Sequence, residues 1–110
     1  MKRAIGTALA TLLIIATGYS RVTSADAAAP PTVEIKAFVF APQEVTVTRG
    51  TTVTWINRDQ TAHSVVANQG GFSSKGMDTD DKFTFTFTTP GDFAYLCSLH
   101  PHMTGVVHVR

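Results

Sequence analysis

The 110-residue chain has one cysteine, Cys97, so no disulfide can form within it. Leucine is scarce beyond residue 27, where only Leu96 and Leu99 occur, and no 3.6-residue apolar pattern of any length runs through that part. Both features exclude a helical bundle. Charge of one sign is also missing: Lys and Arg total 9 against 8 Asp and Glu. A nucleic-acid binder would show a basic patch or stripe, and none is present. There is no glycine-rich phosphate loop, no Ser-His-Asp pattern, no internal repeat and no low-complexity tract. The length allows one domain and no separate cofactor domain.

The one long uncharged run is Ala4 to Ser20, behind the basic start Met1-Lys2-Arg3. Ala25-Asp26-Ala27 and Ala27-Ala28-Ala29 each fit a small-residue cleavage site. This is the layout of a secretory signal peptide, expected over residues 1–27. The alternative is a retained anchor, but a run this short, with Gly, Ser and Thr in it, is at the lower edge of a spanning helix. Export places the mature domain, residues 28–110, in the periplasm without stable membrane insertion. Its six basic and seven acidic side chains then leave a formal charge of −1. So small a domain is marginal without a staple. A lone thiol in an exported chain therefore calls for a dimer disulfide, a reactive thiol or a metal.

What the domain does have is Val, Thr and Phe: ten, thirteen and seven of them from residue 28 onward. These residues suit pleated, half-buried surfaces. Period-two alternation runs through Val33/Ile35, Val45/Val47, Val53/Trp55, Phe83/Phe85/Phe87, Phe93/Tyr95/Cys97 and Val107/Val109. It places Trp55 and the phenylalanines in the core and turns His108 outward to solvent. Arg49-Gly50 suits a tight hairpin, Pro90-Gly91 a turn, and residues 68–76 a loop with a short helical turn nearby. The expected class is all-β, an antiparallel-rich sandwich or barrel of six to eight short strands.

The chemistry concentrates in Cys97-Ser98-Leu99-His100-Pro101-His102-Met103, where Cys97, His100 and Met103 are spaced C-x-x-H-x-x-M. His63 lies upstream, after the strand that ends in Ile56-Asn57. Two imidazoles, a thiolate and a thioether form the donor set of an electron-transfer copper site. Structural zinc prefers Cys and His without thioether. A catalytic thiolate needs an electropositive pocket and a group orienting its base, and neither is evident. Asp78, Asp80 and Asp81 read as a solvated loop, because a calcium loop needs more oxygen ligands and a terminal Glu. Asn57 is placed to brace the loop that carries His63.

The run Phe93–Val107 resembles the closing motif of the cupredoxins, the small blue-copper proteins. Phe38-Val39-Phe40-Ala41-Pro42, Gly50-Thr51-Thr52-Val53-Thr54-Trp55 and His63-Ser64-Val65 extend the resemblance over the whole domain. The short loop is similar to that of the amicyanin-like members rather than the longer plastocyanin loop. The resemblance implies a Greek-key β-sandwich of seven to eight strands holding one copper ion. It implies His63, Cys97 and His100 as strong ligands, Met103 as the axial one, and a Ser64 N–H near the thiolate. It further implies a monomer that binds no nucleic acid and transforms no substrate, docking transiently on a c-type cytochrome or a dehydrogenase. The docking patch would comprise Pro42, Leu99, His100, Pro101 and His102. A copper carrier or storage protein that delivers metal rather than electrons would use the same ligands. A metal-free interaction module would take up no copper.

Two positions depart from the amicyanin-like pattern: Leu99 stands where proline precedes the second histidine, and His102 where a large apolar residue is usual. Leu99 keeps a backbone N–H that proline lacks. An N–H directed at the Cys97 sulfur withdraws electron density and favours the reduced metal. The expected outcome is a lower reduction potential in Leu99→Pro, checked by redox titration of the pair; an unchanged or higher potential contradicts it.

Overall fold

The computed structural model describes residue 6 and residues 30–110. The expected signal peptide, residues 1–27, therefore lies outside the described residues apart from Gly6. Among the described residues there are eight strands and no helix. They are β1 (Thr32–Lys36), β2 (Val39–Ala41), β3 (Glu44–Val47), β4 (Thr51–Asn57), β5 (Val66–Ala67), β6 (Lys82–Phe87), β7 (Gly91–Leu96) and β8 (Thr104–Val109). They form two four-stranded sheets, ordered β2-β1-β4-β6 and β3-β8-β7-β5. The all-β sandwich read from alternation is the observed architecture.

Alternation fixes which face each strand buries. Val33, Ile35, Val53, Trp55, Tyr95, Val107 and Val109 are sealed between the sheets. Each buried aliphatic or aromatic side chain of this kind is worth about 1.5–3 kcal/mol relative to exposure. Trp55 is central, with Phe72, Phe83, Phe87 and Tyr95 around its ring. The outward threonines contribute locally, as in the 2.7 Å contact between the Thr52 and Thr86 hydroxyls. Gly105 is required by packing. It faces Tyr95 across the β7–β8 ladder, and a Cβ there would lie 2.3 Å from the Tyr95 ring. Burial pushes the Tyr95 phenol up to about 12, and the Trp55 indole N–H offsets part of this without reaching hydrogen-bonding geometry.

The sequence reading is corrected at several points. Four of the six ladders are antiparallel, in keeping with the antiparallel-rich expectation, and alternation gave no sign of the two parallel ones, β1 with β4 and β3 with β8. Arg49-Gly50 is a corner, not a hairpin: β3 and β4 belong to different sheets, and Gly50 at φ 87° turns the chain between them. No helical turn accompanies residues 68–76. That stretch folds back instead, with Ala67 N–H donating to Phe72 O and Ser74 N–H to Val65 O. Phe38 is 42% exposed, so it does not belong to the core. His108 is not free in solvent. Its side chain is 24% exposed and sits between Asp92 at 2.7 Å and Glu44 at 3.1 Å. Those two carboxylates, Asp92 foremost, hold its imidazole above the ordinary histidine range.

The pairing brings three connections to one end of the sandwich. Parallel pairing of β1 and β4 puts the β1–β2 turn beside the β4–β5 connection. Antiparallel pairing of β7 and β8 makes residues 97–103 a loop across adjacent strands. These three segments carry Phe38, His63 and the Cys97–Met103 stretch.

Candidate metal centre

The loop after β7 is wound tightly on itself. Cys97 N–H donates to Met103 O at 3.0 Å, His100 N–H to Cys97 O at 3.2 Å, and Met103 N–H to His100 O at 2.9 Å. Each three-residue step thus closes on the next, and this is what the C-x-x-H-x-x-M spacing encodes. Cys97 and Met103 are buried, while His100 is half-buried.

His63 is brought in from the other sheet and fixed on both sides. Its backbone exchanges hydrogen bonds with Met77, at 3.1 and 2.7 Å. Asn57 braces this segment. Its Nδ2 donates to Thr61 O at 2.9 Å and Met77 O at 2.8 Å, and its Oδ1 accepts the Asp59 N–H at 2.9 Å. A buried amide satisfied in this way holds its surroundings rigid, because leaving it unpaired is costly.

The donor atoms converge. His63 Nδ1 lies 3.8 Å and His100 Nδ1 3.7 Å from Cys97 Sγ, and the three atoms are all within 4.8 Å of one another. Two ligands about 2.0–2.3 Å from one ion, at angles near tetrahedral or trigonal, stand about 3.7 Å apart. The spacing fits a shared metal ion. Thiolate and imidazole with a buried thioether in the same loop is a set that suits copper.

The thiol is prepared for that role. Burial pushes Cys97 up, but the Ser64 N–H, His63, His100 and the Leu99 N–H together outweigh it and hold the thiol at about 6. The Ser64 N–H reaches the sulfur at 3.4 Å, and the Leu99 N–H is the weakest of the four influences. Ser64 Oγ also accepts the Ser98 N–H at 2.8 Å and meets Ser98 Oγ at 2.7 Å, stapling the two ligand-bearing loops.

Three residues at the centre escaped the sequence reading: Asp59, Ser98 and Phe38. Asp59 Oδ2 lies 2.8 Å from His63 Nε2. A carboxylate accepts only, so Nε2 carries a proton and the ring is turned with Nδ1 towards the Cys97 sulfur. Asp59 also accepts the Ala37 and Phe38 N–H groups, at 2.7 and 3.0 Å. Burial pushes its carboxyl up, but the Phe38 N–H, His63 and the Ala37 N–H outweigh that and hold it below the usual carboxylate range. Ala37 and Phe38 have φ of 53° and 61°. That left-handed backbone costs about 1–2 kcal/mol per non-glycine residue, so the carboxylate is holding a strained turn. The available signal for Asp59 was its place four residues before His63. For the Phe38 turn it was two residues, neither of them Asn or Gly, between the paired Lys36 and Val39.

Of the expected docking residues, Pro42, Leu99, Pro101 and His102 are exposed, and His102 sits 6.4 Å from His100 between ring centroids. The groove beside His102 is lined by Phe38, Val39, Gln43 and Met103, without Pro42.

With this geometry in place, comparison with known proteins defines the class. Residues 27–110 match the model of the copper-binding proteins of the plastocyanin/azurin family, and the chain belongs to that family. It is a cupredoxin, with copper as its cofactor. Within the family, amicyanin from Paracoccus versutus is 32% identical over 103 residues, covering 88% of this chain and 78% of that protein. A mutant of amicyanin in its reduced Cu(I) form at pH 4 superposes with TM-score 0.69 at 34% identity, over 76% of this chain and 85% of that one. A Cu-containing nitrite reductase from Thermus scotoductus SA-01 gives TM-score 0.70 at 28% identity, over 74% of this chain and only 22% of the reductase.

The low thiol value makes stability depend on pH. Folding lowers the Cys97 value from about 8.5 in an open chain to about 6. The folded state therefore binds fewer protons between those limits, and the stabilisation is complete above the upper one and lost as pH falls through the lower. In the metal-free protein, the stability of wild type relative to Cys97→Ser should rise steadily from about pH 6 to about pH 8.5, measured by urea unfolding. A pH-independent difference contradicts the thiolate assignment.

Proposed function

We propose that the protein is a periplasmic type 1 blue-copper carrier that passes single electrons between redox partners. In this reading residues 1–27 direct export and residues 28–110 act as a monomer that transforms no substrate. His63, Cys97 and His100 are the close ligands and Met103 the axial one. The observation that carries the reading is the convergence of His63 Nδ1, His100 Nδ1 and Cys97 Sγ, with the His63 ring held by Asp59, the sulfur by the Ser64 N–H and the His100 backbone by Cys97 O. Bound there, copper supplies a one-electron couple between its +1 and +2 states.

The chain's own residues do the remaining work. Asp59 and Asn57 keep the His63 ring and its loop fixed, so little moves when charge changes. The Ser64 N–H offsets the negative charge of the buried sulfur. His100 is the ligand nearest solvent, and the exposed Leu99, Pro101 and His102 around it supply a small, mostly apolar face. Such faces suit transient redox encounters. The domain's net charge of −1 gives little steering, so docking should depend only modestly on salt. A c-type cytochrome or a dehydrogenase is the proposed class of partner, supported by the likeness to amicyanin. The likeness to a nitrite reductase covers about a fifth of that enzyme and supports a shared copper fold rather than a shared reaction.

Copper(II) added to the purified protein should bind one ion per chain and give an intense visible thiolate charge-transfer band with a narrow copper hyperfine splitting. Cys97→Ser should abolish the band and Met103→Leu alter it. Reversible cycling with copper retained in both states supports electron transfer. Ready release of Cu(I) to an acceptor protein would identify a delivery protein instead, and absence of uptake would overturn both.

A further inference from the structure

We propose that Phe38 is a cap on the metal centre, a positioning residue that holds both imidazoles in place and restricts access to Cys97. This rests on the copper-site reading and adds a residue to it from outside the donor set. The Phe38 ring lies 5.1 Å from the His63 ring and 5.1 Å from the His100 ring, at 89° to each. One aromatic side chain thus makes edge-on contacts with both imidazoles, which come from different loops. Edge-on packing is the favoured geometry for such rings.

The ring's placement is not a by-product of core packing. Phe38 is 42% exposed, whereas Phe40, two residues on, is buried and packs on Tyr95. Phe38 is directed over the site by the two-residue turn between Lys36 and Val39, both of whose residues adopt left-handed backbone. A turn of this kind normally takes Asn-Gly. Here Ala-Phe occupies it, and both N–H groups of the turn are held by the Asp59 carboxylate that also orients His63. Strained backbone persists where its surroundings over-determine it, and such sites gather around function. The same carboxylate therefore sets the ring of one donor and the position of the cap above it.

The large exposed hydrophobics among the described residues are Phe38, Val39 and Leu99. Leu99 adjoins His100, and Val39 lines the groove next to Met103. Val39, at 54% exposure, is a control: it lines the same groove as Phe38 but carries no aromatic ring to pack edge-on against the imidazoles. If the cap acts through the two ring contacts, truncating Phe38 opens the centre and truncating Val39 does not.

The first measurements use metal-free protein. Alkylation of Cys97 by iodoacetamide should be about tenfold faster in Phe38→Ala, the scale set by losing two ring contacts. NMR should show the ring protons of both His63 and His100 shifting with loss of the phenyl ring current. Val39→Ala should change neither, and Phe38→Tyr should restore the wild-type rate. In copper-loaded protein, Phe38→Ala should release Cu(I) to a chelator about tenfold faster, for the same reason. The cap is overturned if Phe38→Ala alkylates at the wild-type rate, or if Phe38→Tyr behaves like Phe38→Ala. Urea unfolding of each variant separates local opening from global destabilisation. Because alkylation and ring shifts need no metal, failure of copper uptake by the wild type would sink the functional reading while these arms still decide the cap.

Discussion

A buried thiolate is the constraint on which the rest of this structure depends. Sulfur sealed from water resists ionising, and the protein answers with donors placed around it: the Ser64 N–H at 3.4 Å and two imidazoles at 3.7 and 3.8 Å. None of these comes from the strand that delivers Cys97. The sandwich therefore has to bring the β4–β5 connection and the β7–β8 loop together at one end, and its pairing does so. The hydrocarbon core between the sheets supplies the stability that a chain without disulfides needs to hold that arrangement.

Rigidity around the sulfur comes from polar groups used more than once. Asn57 binds three backbone partners, and Asp59 binds two turn N–H groups and one imidazole. Ser64 ties its own loop to Ser98 as well as facing the sulfur. Networks of this kind are stiff because a displaced member leaves a buried group unpaired. A fixed donor cage suits one-electron traffic, since charge can change with little rearrangement. It suits ready surrender of the metal less well, so the geometry favours carriage of electrons over delivery of copper.

Much of this was legible in the residues, for a physical reason. Strand alternation has period two, and Val33/Ile35, Val53/Trp55 and Val107/Val109 display it without interruption, so fold class and core followed directly. The spacing of Cys97, His100 and Met103 was equally readable, because a short loop closing on itself every three residues leaves its pattern in sequence. The two parallel ladders were not. The β1–β4 and β3–β8 ladders join segments far apart in sequence, and alternation is blind to whether such strands run parallel. Asp59 and Phe38 were hidden differently. A loop aspartate looks solvated until the imidazole four residues on turns back to it, and Phe38 looks like core because its neighbour Phe40 is. His108 was misplaced likewise: its outward direction was right, but the carboxylates of Glu44 and Asp92 reach it from β3 and the start of β7.

The most direct test of the central claim is X-ray absorption at the copper edge of the loaded protein in both oxidation states. The account predicts two nitrogen donors and one short sulfur donor around a single copper, nearly unchanged on reduction. A first shell of nitrogen and oxygen without short sulfur, or loss of a nitrogen donor on reduction at neutral pH, would contradict it.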